Sequence, residues 1–163
     1  MLGPDDLERY IRDHGLNAQL LRHVGHTATV EAAAQALGVP PDRILKTLVF
    51  LVDGRPVIFI TNGPRRVDPR VLARHFGVGR KKVKMADPAT VLELTGYPAG
   101  GVPPFAHRTP LPILIDARVL TLPEAFAGGG DEHTMVRLDP TELVRITQAT
   151  LLEAPDRDPQ PTG

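Results

Sequence analysis

Residues 44–60 read ILKTLVFLVDGRPVIFI. Two β-prone apolar runs, 47–52 and 56–61, flank Asp53-Gly54, a pair suited to the positive φ angles of a tight hairpin turn. The stretch therefore predicts two antiparallel neighbours inside a sheet. One residue interrupts it. The chain has four lysines against fifteen arginines, three of the lysines are Lys81, Lys82 and Lys84, and the fourth is Lys46. Strand alternation puts Lys46 on a face with Ile44, Leu48 and Phe50. In one reading its stem packs while the ammonium reaches water. In the other it is a cation at the mouth of a pocket, binding an anion or a carbonyl oxygen, a point-charge role that suits lysine better than arginine.

Outward from the hairpin, helical spacing of Leu7, Tyr10 and Ile11 predicts a helix over 4–14, closed by Gly15. A short strand is expected over 19–24. TVEAAAQALG, 29–38, reads as a helix capped by Thr29, with Glu31 near its positive end and Gly38 at its close. Asp68-Pro69, Asp87-Pro88 and Asp139-Pro140 each place an N-cap acid before a proline suited to the first helical position. A Gly/Pro loop over 95–110, a strand at 112–116, a short helix near 123–126, a Gly-Gly-Gly turn at 128–130 and a strand at 133–138 complete the order. Irregular alternation predicts a mixed α/β arrangement, a sheet or partial barrel. One domain is expected over 1–152, with a disordered tail at 153–163.

Lys+Arg equals Asp+Glu at nineteen each, so no global field draws the protein to a polyanion or a membrane. Apolar runs fall short of a membrane span and the N-terminus carries no apolar leader, so a cytoplasmic location is expected. The sequence has no cysteine and no serine. Thiol nucleophiles, disulfides, thiolate metal sites and a Ser-His-Asp triad are excluded. A hydrolase built on this chain uses threonine, a metal or an activated water. The six histidines are scattered, and His23-x-x-His26 lacks a third ligand, so no metal site is expected. His26 and His133 could each orient a water.

Two further stretches carry chemistry. In TGYPAGGVPPFAH, 95–107, the amides of Gly100, Gly101 and Val102 could face an oxyanion or phosphate, although a rigid connection would use the same residues. Residues 65–84 hold eight Lys/Arg and one acid, a local charge of +7 in a neutral chain. A phosphate backbone is the natural partner of such a segment; a solvated helix face is the plainer reading.

The order HTATVEAAAQALGVPPDRILKTLVF, hairpin, TGYPAGGVPPFAH, AGGGDEHTMVRLDPTEL resembles the YbaK/EbsC family of aminoacyl-tRNA deacylases, which also occurs as the editing domain of bacterial prolyl-tRNA synthetases. The resemblance spans about residues 20–147. It implies a mixed, partly closed β-barrel surrounded by helices. It implies hydrolysis of the ester joining a wrong amino acid to the tRNA 3′ end, in trans, without metal or organic cofactor. The family lysine falls on Lys46, its G-x-x-x-P loop on Gly100 through Pro104, and its glycine pair on Gly129 and Gly130. Catalysis is then expected from Lys46 with Gly100, Gly101 and Val102. Substrate binding falls to Thr47, His26, Thr29, Pro104, Phe105, Gly129, Gly130 and His133, and tRNA binding to Arg80, Lys81, Lys82 and Lys84. Gly128 stands where cysteinyl-specific members carry serine, and His133 aligns loosely with a histidine of alanyl-specific members. The implied partners are the acceptor end of an aminoacyl-tRNA and a synthetase, with no membrane, for a monomer or weak homodimer. A non-catalytic module binding tRNA ends, nucleotides or a synthetase is the alternative.

Overall fold

The computed structural model describes residues 1–155. Along the chain run α1 (Pro4–Asp13), β1 (Gln19–Leu21), α2 (Val30–Leu37), β2 (Leu45–Val52), β3 (Arg55–Asn62), α3 (Pro69–Phe76) and β4 (Val83–Met85). Then follow α4 (Pro88–Thr95), β5 (Ile113–Asp116), β6 (Ala125–Gly128), β7 (Met135–Leu138), α5 (Pro140–Thr147) and β8 (Thr150–Leu152). The hairpin forms as its sequence dictates. Its strands pair antiparallel from Leu45↔Asn62 to Val52↔Arg55, and Asp53 and Gly54 turn at φ 51° and 80°.

A five-stranded mixed sheet has the order β4-β2-β3-β5-β8, and a three-stranded antiparallel sheet the order β1-β7-β6. A single bridge, Ile44 to Phe126, joins them. The architecture is mixed α+β, and among the described residues the strands do not close into a barrel: β4 and β8 remain edges of the larger sheet.

Both faces of the hairpin are covered, which explains why its strands read as continuous apolar runs. Ile58 and Ile60 face a core shared with Leu7 of α1, Val136 of β7 and Leu143 of α5. Val57 and Phe59 face the other way, onto Leu72 of α3 and Val83 of β4. A third cluster packs Ala33 and Ala34 of α2 on Ile44, Phe126 and Met135, fixing the helix over the start of β2. The caps form as expected: Thr29 accepts from the Ala32 amide, Asp68 from Arg70, Asp87 from Thr90 and Asp139 from Thr141.

Several expectations are corrected. The helix expected near 123–126 is strand β6, preceded by a 3-10 turn at Ala117–Thr121. Pro123 holds Leu122 extended, and Ala125, Phe126 and Ala127 gain buried pairing with β7 that overrides their helical propensity. The strand expected over 19–24 stops at Leu21, and His23 sits at φ 58°. Strands β4 and β8 were not foreseen. Ala154, assigned to the tail, is 7% exposed and packs with the α3 side of the sheet. The rest of that expected tail, 156–163, lies outside the described residues.

Candidate active site

Lys46 is the second residue of β2, opposite Thr61 of β3. Its Nζ donates to the carbonyl of Arg65 in the loop after β3. Arg65 in turn bonds the Asn62 side chain at 2.6 Å, and Asn62 reaches the Asp42 carbonyl at 2.8 Å. Burial pushes the Lys46 ammonium below the ordinary lysine range. The Glu31 carboxylate works against that shift and the Arg65 guanidinium adds to it. A half-buried cation of this kind retains more of its field than a solvated one, because fewer waters screen it.

A cavity of about 350 Å³ opens beside it. Thr27–Glu31, leading into α2, form one wall, 44–48 the floor, and Ala99, Gly100 and Val102 the facing wall. Lys46 and the glycine-proline loop therefore share one cavity. The Thr27 amide and hydroxyl both donate to the Glu132 carbonyl at 2.8 Å, which ties the first wall to the β6–β7 connection. Thr47 lines the floor, and its hydroxyl oxygen is buried with no protein partner among the described residues. Hydroxyl groups so placed favour a polar ligand atom over an apolar one.

The loop is held by backbone contact. Gly101 donates to Pro98 O at 2.9 Å, and Gly130 donates to Gly101 O at 2.8 Å. The Gly101 amide is thus occupied, which corrects the expectation that all three amides stand free. Those of Gly100 and Val102 have no acceptor among the described residues. A Cβ on Gly101 would lie 2.7 Å from the Asp131 backbone, and one on Gly128 would lie 2.5 Å from Val102 O. Glycine is required at both because two main chains touch there.

Of the expected site residues, the cavity gathers Lys46, Thr47, Thr29, Gly100 and Val102. His26, Gly101, Pro104, Phe105, Gly129, Gly130 and His133 are not in its lining. Phe105 is buried in the main core and stacks on Tyr10 at 5.5 Å. Gly129 donates to Thr134 O at 2.9 Å in the β6–β7 turn, and Gly130 abuts Gly3 and Pro4 at the start of α1. His133 is exposed, with Nδ1 3.3 Å from Gly25 O, and His26 is exposed. Glu31, read from sequence only as a favourable charge at a helix start, lines the cavity. Its position next to a cap gave no signal of that.

The basic segment lies apart. Arg80, Lys81 and Lys82 form a 3-10 turn before β4, and β4 pairs with the far end of β2, Lys84 opposite Leu51. Five residues of strand, roughly 17 Å, separate that register from Lys46. Lys82 lies 3.9 Å from Asp53, and Arg70 pairs with Asp68 at 2.7 Å. No group of three or more potential metal-ligating side chains gathers among the described residues. Nor is any helix there long and apolar enough to cross a membrane.

Comparison with known proteins meets this geometry from outside. The family model described as aminoacyl-tRNA editing domain matches residues 24–146, a span that holds every cavity residue named above. An uncharacterized protein of Bacillus subtilis, YwhH, is 35% identical over 118 residues, covering 72% of this chain and 73% of its own. A proline-tRNA ligase of Maridesulfovibrio salexigens is 37% identical over 107 residues, 64% of this chain but only 18% of the ligase. Among solved structures, a protein proposed to be a trans-editing enzyme for prolyl tRNA synthetase superposes with a TM-score of 0.85 at 32% identity, covering 94% of this chain and 97% of that one.

Proposed function

This chain belongs to the aminoacyl-tRNA editing domain family, and from that premise we propose that it is a deacylase that hydrolyses mischarged aminoacyl-tRNA in trans. The observation that carries the reading is one cavity flanked by the Lys46 cation on β2 and by two unengaged amides, Gly100 and Val102, on the loop opposite. A cavity of about 350 Å³ suits a small aminoacyl group with part of its terminal ribose. Lys46 anchors the terminal phosphate or the aminoacyl carbonyl. The Gly100 and Val102 amides donate to the oxyanion that develops when water attacks.

The ester is already activated, so positioning and charge stabilisation carry the chemistry. Water oxygen bonds to the carbonyl carbon, the carbon–ribose oxygen bond breaks, and the ribose oxygen leaves with a proton. The neighbouring ribose hydroxyl serves as the relay for that proton, so no protein base is required. The products are a free amino acid and uncharged tRNA. The basic segment meets the acceptor stem through its phosphates with little sequence readout. The reading is tested by a panel of tRNAs mischarged with different amino acids. Wild type is expected to discharge at least one rapidly and Lys46→Ala to lose most of that activity. Tight tRNA binding by both proteins with no turnover by either overturns the reading in favour of a binding module.

A further inference from the structure

The segment that follows the two free amides is fastened by side chains that the reaction does not use. His107 is half-buried, and its Nε2 lies 2.6 Å from the Pro103 carbonyl. A carbonyl only accepts, so that nitrogen carries the proton. One residue earlier, Ala106 sits at φ 66°, a left-handed conformation that costs a non-glycine residue. The Tyr97 hydroxyl donates to the Ala106 carbonyl at 3.1 Å, and Tyr97 itself is fully buried. The turn at 103–107 is therefore pinned at both ends. Upstream, the Gly101 amide and carbonyl are both engaged. Val102, whose amide has no acceptor among the described residues, lies between these anchors, and Gly100, whose amide is likewise without one, lies just ahead of them.

We propose that His107 is a positioning residue that, by donating to Pro103 O, closes the 103–107 turn and so holds the downstream end of the loop whose Gly100 and Val102 line the cavity. This rests on the deacylase reading for its kinetic consequence but not for its structural one. Burial holds the ring below the ordinary histidine range, outweighing the opposite pull of the Pro103 carbonyl, so the imidazole stays neutral near pH 7. Neutral imidazole with one proton at Nε2 makes this bond without bringing a net charge close to the developing oxyanion.

The test compares wild type with His107→Ala, His107→Asn and His107→Gln. The glutamine amide nitrogen stands as many bonds from Cα as Nε2 does; the asparagine nitrogen stands one bond short. On a mischarged tRNA that wild type discharges, Ala and Asn are expected to lower kcat by about 10- to 100-fold with KM little changed, the cost of misplacing donors by a fraction of an ångström to 1 Å. Gln is expected to restore most of kcat. In parallel, amide hydrogen exchange and 1H–15N shifts of Gly100 and Val102 are expected to change in Ala and Asn and return in Gln, with the rest of the spectrum retained. Unaltered Gly100 and Val102 signals in the Ala variant overturn the inference, as does failure of Gln to restore them. Should wild type discharge no aminoacyl-tRNA, the deacylase reading fails, and the amide signals alone decide whether His107 sets the loop.

Discussion

At the scale of single residues, Lys46 decides most. Its carbon stem is half-buried in a strand, and its ammonium is fixed by a main-chain carbonyl rather than by a carboxylate. Lys46→Ala is expected to lower kcat/KM by about 10²- to 10³-fold, the range seen on removing one strong transition-state donor. Thermal melting should show the variant still folded. A pH profile gives a sharper check. Burial lowers the Lys46 pKa, so the ammonium, and the activity with it, is expected to be lost as pH rises through that lowered value. The alkaline limb therefore falls earlier than for a solvated lysine. Glu31 favours the charged form, so Glu31→Gln is expected to move the limb to lower pH still. A limb that moves up, or stays put, contradicts the electrostatic link between the two. Glycines 101 and 128 act differently. Each abuts another main chain at 2.7 Å or less from its would-be Cβ, so Gly101→Ala and Gly128→Ala are expected to destabilise by about 2 kcal/mol or more and to lower activity through misfolding. Lys46 was legible in the sequence because a lone lysine in an apolar run breaks a pattern. Glu31 was not, because an acid beside an N-cap fits its pattern completely.

Between elements, one buried carboxylate fastens three pieces of chain. Asp116 ends β5 with no exposure, accepts from Thr61 of β3 at 2.8 Å and pairs with Arg118, which also reaches the Ala154 carbonyl past β8. Burial alone would raise its pKa, but the hydrogen bonds from Arg118 and Thr61 outweigh it and the net shift is downward. A carboxylate depressed in the folded state adds stability that is present above its unfolded pKa and lost as pH falls through the folded one. Asp116→Asn is expected to cost about 2–3 kcal/mol in urea unfolding at pH 7, and less at acid pH, where wild type loses the same contribution. An equal cost at both pH values would contradict the assignment. The Asp-Pro helix starts were readable because caps are local chemistry, and so was the hairpin, whose turn and alternation lie within twenty residues. Strand β6 was misread as helix because its state is decided by Met135–Leu138 and by Ile44, partners that no local window contains. Strands β4 and β8 are three residues each, too short for alternation to register. The cavity draws its lining from segments as far apart as 27–31, 44–48, 99–102, Gly128 and Met135, so its members could be nominated from sequence but its walls could not.

The molecule as a whole carries no net charge, yet it concentrates cations along one edge strand and the turn before it. Long-range attraction to a polyanion is therefore weak, and the field of the cationic edge extends only about one Debye length, roughly 8–10 Å at moderate salt. On the proposed deacylase function, contact with the tRNA would then rest on direct phosphate pairing. The distance from Lys46 to the Lys84 register, roughly 17 Å, corresponds to about five stacked nucleotides at 3.4 Å per step. If the aminoacyl ester occupies the cavity, the cations at 80–84 meet the duplex of the acceptor stem and not the terminal nucleotides. Reversing Lys81, Lys82 and Lys84 to glutamate should then raise KM for aminoacyl-tRNA while leaving kcat nearly intact. The slope of log KM against log salt should flatten by about 2–3, since each lost phosphate contact removes roughly 0.7–0.9 from it. An aminoacyl-adenosine, which has no stem, should be handled alike by both proteins. Equal loss on the short and the long substrate would place these lysines at the cavity instead. An unchanged salt slope would leave them as an ordinary solvated face, and the stem would have to run over a different part of the surface.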